Sequence, residues 1–366
     1  MRKGWEYKRL DECANIEYGT RVVQKKDSGT LYPVYGGGGE TFRMDKFNRE
    51  DCLIVARFAM SRRCVRFVNG KFFLNDSGLS VKAGDKLYQS YLNYNIISLN
   101  DDIYHLGKGA AQRNLDVKSF KKLTIAIPPQ STQLAIVSEL DKINELIRLK
   151  KEQLKDFDNL AQSLFYEMFG DPVENEKGWD VKKLKDISRE IGDGLHGTPE
   201  YSEVDTGCYF INGNNLENGT IVIKENTKMV SEKTKAKHYI EMDDFTILGS
   251  INGTLGKVAF YNGENVILGK SACYIKLEAY NDKKYIFELL KSDYFKRYAE
   301  SECTGTTIRN VSLKSMRNFR CPLPPLPLQR LFAQRIEQIE REKSEVQKSI
   351  QDLETLLASR MQYWFE

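Results

Sequence analysis

The chain has 366 residues, 41% of them hydrophobic, and carries a formal net charge of +4. That is enough for two or more domains with proper cores. No run of about eighteen apolar residues exists, and Met1-Arg2-Lys3-Gly4 leads into polar sequence rather than a signal-peptide core, so a cytoplasmic protein is expected.

Cysteines stand at positions 13, 52, 64, 208, 273, 303 and 321, an odd number with no CxxC pair. Reduced, partly buried thiols are expected rather than a disulfide framework or a zinc knuckle. The only histidines are His105, His196 and His238, which argues against a multi-histidine metal site. Charge is unevenly spread. Residues 1–130 hold 22 Lys and Arg against 14 Asp and Glu, whereas residues 170–327 hold 22 against 23. The first segment is therefore a candidate polyanion binder.

In chain order, "GWEYKRL" at Gly4 opens a β-rich stretch with short apolar runs such as "CLIVARF" at Cys52, closed by an Asn69-Gly70 turn. "YGGGG", Tyr35 to Gly39, lacks the GxGxxG order and a following helix, so it reads as a flexible loop rather than a dinucleotide site. Pro128-Pro129 then stop the strand pattern. From Ser131 to Phe169 there is no Gly or Pro, and Val137, Leu140, Ile147, Leu154, Phe157, Leu164 and Met168 fall on a heptad-like seam. Ser131 or Thr132 is the expected cap of this helix.

The second half repeats the plan. "GWDVKKL" at Gly178 matches "GWEYKRL" at an offset of 174. "TILGSINGTLGKVAFYNGENVI" at Thr246 runs beside "LIVARFAMSRRCVRFVNGKFFL" at Leu53 at an offset of 193 without a gap. "GTTIRNVSLKSM" at Gly305 matches "GAAQRNLDVKSF" at 196, which holds to the end, where "MQYWF" sits opposite "FYEMF". Such ordered agreement is a duplication. The offset grows because the second half carries extra residues in its front portion. "KKYIFELLKSDYFKRYAE" from Lys283 has helical spacing, so each globular part is mixed α/β. Pro324-Pro325 precede a second seam of Phe332, Ile336, Ile339, Val346, Ile350, Leu353 and Leu357, interrupted at Lys343. Each tail makes a helix of roughly 58 Å that needs a partner, and the nearest is the other tail.

Catalytic signatures are missing. Ile127-Pro128-Pro129-Gln130 lacks the Asn or Asp of an amino-methyltransferase tetrapeptide. "GENVILGKS", Gly263 to Ser271, has one residue too many for a phosphate loop, and no Ser/His/Asp or Cys/His order stands out.

Several elements in order resemble the specificity subunit of type I restriction–modification systems over essentially the whole chain. They are "GWEYKRLDECANI" with its echo "GWDVKKLKDI", "YPVYGGGG", "DGLHGTPEY…CYFINGNNLENGTI", and "IPPQSTQLAIVSELDKI" followed by "SLFYEMFGDP". The resemblance implies an α+β protein: two mixed α/β target recognition domains, over 1–130 and 173–327, separated by an antiparallel pair of coiled-coil-like helices over 131–172 and 328–366. It also implies a pseudo-two-fold arrangement. It implies a non-catalytic subunit in which each domain reads half of a bipartite site in double-stranded DNA and the helices fix the spacing. Two methyltransferase subunits, which bind S-adenosylmethionine, would dock on the helices and bring in the restriction motor subunits. This chain itself would carry no cofactor or metal. A type IIB specificity subunit and a coiled-coil protein-interaction scaffold are the alternative readings. One departure stands out. Met60 and Arg63 replace the Gly253 and Gly256 of the second half, so either the turn is rebuilt or the segment follows another path.

Candidate DNA contacts in the first domain are Lys25, Lys26, Arg57, Arg62, Arg63, Lys108 and Arg113, with Tyr35 and Gly37 as an adaptable loop. In the second, where net charge gives no help, they are His196, Thr198, Asn212, Asn214, Asn215, Lys270, Thr306 and Arg309. Trp5 and Trp179 are expected as packing anchors. "YWF" at Tyr363 is expected to bury at the bundle end or against a methyltransferase subunit.

Overall fold

The computed structural model describes residues 2–109, 112–253, 255–303 and 309–366. It divides into two compact units, residues 1–152 with 347–366 and residues 153–346.

In the first unit, β1 (Glu6–Arg9) pairs antiparallel with β10 (Thr124–Ile127). Between them β2 (Ala14–Tyr18), β3 (Tyr32–Gly36), β4 (Gly39–Met44), β5 (Arg49–Ala56), β6 (Val65–Leu74) and β7 (Gly78–Ala83) form one sheet, ordered β2-β7-β5-β6-β3-β4. Its neighbours are antiparallel except β3 beside β6. A short ribbon, β8 (Gly107–Lys108) and β9 (Asn114–Leu115), lies apart. Helices are α1 (Leu10–Cys13), α2 (Gln24–Asp27), α3 (Gln89–Ser98), α4 (Asn100–His105) and α5 (Val117–Lys121).

Strand β5 is central and buried on both faces, and its alternation divides its side chains. Leu53 and Val55 enter the core shared with the helices, while Ile54 joins Val68, Phe72 and Leu74 on the other side.

The second unit repeats this order. β11 (Asp180–Lys183) pairs with β20 (Arg320–Leu323), and the main sheet runs β12 (Ser188–Asp193), β19 (Ala272–Leu277), β16 (Thr246–Ser250), β17 (Val258–Phe260). The parallel pair recurs as β13 (Tyr209–Ile211) beside β18 (Val266–Leu268). Additions are the hairpin β14 (Leu216–Glu217) and β15 (Thr220–Ile221), and α7 (Glu232–His238). Helices α8 (Lys283–Lys291), α9 (Asp293–Ser301) and α10 (Leu313–Asn318) follow.

The gapless offset of 193 holds for β6 and β17 but not for their neighbours. Val55 faces Leu79 as Gly249 faces Cys273, which is an offset of 194, whereas Val55 faces Val65 as Gly249 faces Val258. The second copy therefore has one residue fewer between these strands. A slip of one would have turned each inward side chain outward, so the register rather than the alignment decides which positions correspond.

The tails are α6 (Gln130–Phe169) and α11 (Leu326–Phe365), 40 residues each. Each unit holds the first part of one and the last part of the other, running antiparallel. In the first unit Glu139 accepts from Arg360 and from Trp364 Nε1, and Lys151 meets Glu354 at 2.7 Å. In the second, Asp158 meets Lys343 at 2.7 Å and Phe169 packs on Phe332. The break in the seam at Lys343 is thus filled by an ion pair in which the ammonium is half-buried. Burial opposes its charge, but Asp158 and Glu340 hold its pKa above the ordinary lysine value.

Helix α6 begins at Gln130, so Ser131 and Thr132 lie inside its first turn instead of capping it. The junction is held by Gln133, which is fully buried. Its amide donates to the carbonyls of Pro128 and Lys86, both at 2.9 Å, and its oxygen accepts from Tyr88 N–H at 2.9 Å. Gln329, 196 positions on, donates to Pro324 O at 2.8 Å and accepts from Asp282 N–H at 3.0 Å. Close by, Tyr91 donates to Ala126 O and Tyr285 to Pro322 O. The terminal Phe365 packs on Tyr91 and the terminal Phe169 on Tyr285.

Trp5 packs half-buried against the first core, and Trp179 Nε1 donates to Phe169 O at 2.8 Å. All seven cysteines are free thiols, five of them buried. Among the described residues no helix is long and apolar enough to cross a membrane, and no three His, Cys, Asp or Glu side chains group to hold a metal ion.

Candidate nucleic-acid interface

The segment after β5 and the loop before α5 are stitched together in both units. Met60 N–H donates to Arg113 O at 2.9 Å, and Gly253 N–H donates to Arg309 O at 3.0 Å. The turn of the first half is thus rebuilt on the same anchor despite its missing glycines, with one residue more between Arg57 and Met60 than between Ile251 and Gly253. Ala59 takes the left-handed conformation there, with φ of 48°, and the Asn114 carboxamide accepts from its N–H. A non-glycine residue pays strain for that backbone, which the surrounding hydrogen bonds hold in place. The turn carries arginines instead.

These arginines converge on aromatic rings. Arg57 lies 4.0 Å from the Phe58 ring centre and 5.2 Å from that of exposed Tyr18. Arg113 and Arg62 share the Tyr104 ring at 4.6 and 5.8 Å, and Arg113 also donates to Tyr104 O. Stacked guanidinium groups keep their outer N–H donors for an anion while losing little side-chain freedom. Arg63 is exposed on the same turn.

Lys108 stands next to this group on β8 but is tied to Asp116 at 2.6 Å. Asp116 also caps α5 through Lys118 and Ser119 N–H groups. The Lys108 ammonium, ahead of the Ser119 N–H, pulls the Asp116 carboxyl down to about 2. A depressed carboxyl stabilises the fold above its unfolded pKa of about 4 and loses that contribution as pH falls through its folded value. In Lys108→Ala the Asp116 carboxyl is expected to titrate closer to the ordinary range, which an NMR pH titration reads directly.

Lys25 and Lys26 are exposed on α2, away in sequence from the arginine turn. The adaptable loop is corrected. Tyr35 belongs to β3 and packs edge-on against Phe72, while Gly37 is buried and a Cβ there would come within 2.1 Å of Phe58 O. Gly37 thus serves close packing.

In the second unit, His196 is exposed and bonds Asp193 at 2.7 Å, with exposed Thr198 two residues on. Lys270 is also exposed. Arg309 pairs with Glu300 at 3.1 Å, and Thr306 lies outside the described residues. The asparagine cluster separates by role. Asn215 is buried, donating to Val222 O and Thr227 Oγ1 and accepting from Asn212 N–H, so as a base contact it is withdrawn. Asn212 accepts from Ser271 Oγ at 2.9 Å, and Asn214 alone is exposed.

Sequence reasoning missed the side chains facing Asn214 across a cleft of about 420 Å³, among them Lys224, Lys228, Lys257 and Tyr201. The neutral total charge of this half conceals a local concentration of lysine. The aromatic partners Tyr18, Phe58 and Tyr104 were missed as well, although each lies near a candidate arginine in sequence or in space.

Fold and site define a duplicated α+β binding protein that offers an arginine–aromatic surface in one half and a lysine–amide cleft in the other. The chain belongs to the type I restriction modification DNA specificity domain family, whose profile matches residues 2–156 and again residues 176–355. It is 22% identical over 338 residues to the type I restriction enzyme MjaVIII specificity subunit of Methanocaldococcus jannaschii, covering 79% of this chain and 75% of that protein. It is also 22% identical over 350 residues to the putative type I restriction enzyme specificity subunit S.HindORF215P of Haemophilus influenzae, covering 92% and 87%.

Among solved structures, the S subunit of the type I restriction–modification system from M. genitalium aligns with a TM-score of 0.53 at 17% identity, over 98% of this chain and 95% of that one. A chain from a study of complex assembly and conformational transition of the type I system aligns at 0.61 and 17%, over 100% and 98%. These two share the fold. The role of the chain is DNA sequence recognition in such a system.

Proposed function

We propose that residues 1–130 and 173–327 are two target recognition domains, each reading one half of a bipartite DNA site. The helices over 131–172 and 328–366 then set the distance between the halves. The observation that carries this reading is the repeated station of Arg113 and Arg309, each bonded through its carbonyl to the same turn in its own half. Arg57, Arg62 and Arg63 act with Arg113 on the first half-site, and His196, Thr198, Asn214, Lys270 and Arg309 act on the second. Phosphate contacts fix position and a few side chains reach base edges.

The chain performs no chemistry of its own in this reading. Two methyltransferase subunits carrying S-adenosylmethionine dock on the helices, and the restriction subunits join through them. Exposed Leu134 and Leu146, which flank a groove of about 710 Å³ on α6, support such a docking face.

Purified chain alone is expected to methylate nothing. With its cognate methyltransferase subunit and S-adenosylmethionine it should direct adenine methylation to an asymmetric, interrupted site; methylation at a short uninterrupted site would sink the bipartite claim. Inserting four residues after Leu154 adds about 6 Å of helix. The methylated site should then gain about two base pairs in its gap, or be lost. An unchanged gap in methylome sequencing would show that the helices are not the ruler.

A further inference from the structure

The two parallel strand pairs, β3 with β6 and β13 with β18, frame the place where the halves differ most. Twelve residues separate β3 from β5, whereas 34 separate β13 from β16. The added residues include the β14–β15 hairpin and the segment Lys224 to Lys228, which forms one wall of the 420 Å³ cleft. The rest of its lining comes from Phe210, Asn212, Asn214 and Asn215, with Tyr201 and Lys257. The first half has no counterpart of the inserted wall.

The groups in the cleft differ in what they have left to offer. Lys224 is spent, bonded to Glu217 at 2.6 Å and to Asn214 O at 3.0 Å. Lys228 and Lys257 have no carboxylate within ion-pair distance among the described residues. The ammonium of Lys228 lies 4.7 Å from the ring centre of Tyr201, and the Phe210 ring stands steeply tilted to it with 6.2 Å between ring centres. The Tyr201 ring, itself partly exposed, thus carries Lys228 over one face, which places the ammonium at the cleft. What remains is two lysines without a direct ion pair among the described residues, beside the carboxamides of Asn214 and Asn226, with the Glu217 carboxylate acting on Lys257 only from beyond ion-pair distance.

We propose that this cleft, built by the insertion peculiar to the second half, holds a backbone phosphate of the DNA between Lys228 and Lys257. It positions the second domain without reading a base. The inference rests on the DNA-recognition reading above and adds that the two domains grip the backbone by different means. The first uses arginines stacked on rings, the second a lysine cleft.

The test compares the wild-type complex of this chain and its methyltransferase subunits with Lys228→Gln/Lys257→Gln and Lys228→Arg/Lys257→Arg complexes. Duplex affinity is measured as a function of salt, together with the methylated sequence. The Gln pair should bind more weakly and lower the steepness of the salt dependence by about one. Its methylated sequence should be unchanged, and the Arg pair should keep the wild-type slope. Equal slopes in all three complexes would overturn the proposal, as would a Gln pair that methylates an altered second half-site, since that means base reading. A folded Gln pair is verified by an unchanged melting temperature; should it melt early, Lys228→Gln and Lys257→Gln singly carry the same comparison.

Inorganic phosphate separates the remaining source. If it raises the melting temperature of the wild type alone while DNA slopes stay equal, the cleft serves a free anion and the proposal fails. Loss of sequence preference in the wild type itself would instead defeat the DNA-recognition reading.

Discussion

Phe169→Ala is expected to destabilise the second unit by about 3–5 kcal/mol, the range for emptying a buried phenylalanine site. Phe169 is 3% exposed at the end of α6, with ring centres 4.7 Å from Tyr285, 5.1 Å from Phe332 and 5.2 Å from Phe165. The last turn of a helix has no ladder beyond it, so its order depends on what the side chain packs against. Removing the ring opens a cavity among three other rings that cannot all collapse into it. Leu160→Ala on the same helix, where the side chain is half exposed, should cost about 0.5 kcal/mol. Urea midpoints for the two variants read the contrast. Equal midpoints would mean that the aromatic cluster is not what seats the helix end.

The second large effect concerns the junctions. Gln133→Leu keeps the volume but removes the partner of a half-buried N–H at Tyr88 and of two carbonyls, that of Lys86 half-buried and that of Pro128 fully buried. Each buried group left unpaired costs about 1–3 kcal/mol, so a loss of about 3 kcal/mol or more is expected. Gln329→Leu strands only Asp282 N–H and Pro324 O and should cost less. Amide hydrogen exchange gives a second readout. In Gln133→Leu the amides from Thr132 onward should exchange faster, because the first turn of α6 loses the anchor that holds Pro128 in line. If protection there were unchanged, the glutamine would not be the anchor.

Much of this was legible in the residues. The matched "GW", "RN" and "PP" elements located the duplication, and the apolar seams foretold two long helices that need partners, because a 3.5-residue repeat has no stable solution in water alone. The arginine-rich turn was visible as a departure from its twin. Gln133 and Gln329 also stand at the shared offset of 196. That signal was available in the strings, but a glutamine three residues into a helix carries no propensity that marks it as a buried clamp.

Other features belong to the tertiary structure. Strand register decided that Val55 corresponds to Gly249, since side-chain period two makes adjacent alignments equally plausible in composition and opposite in facing. Burial decided that Asn215 is spent on Val222 and Thr227 while Asn214 is exposed, though both sit in one tripeptide. Pairing decided that Lys224 is held by Glu217 while Lys228 and Lys257 make no ion pair among the described residues, a distinction that net charge averages away. By itself the sequence determined the duplicated plan, the helices and the family, because those rest on periodicity and order along the chain. Only the tertiary structure decided which polar groups remain unsatisfied and so available to DNA, because hydrogen-bond and ion-pair partners are chosen by proximity in space.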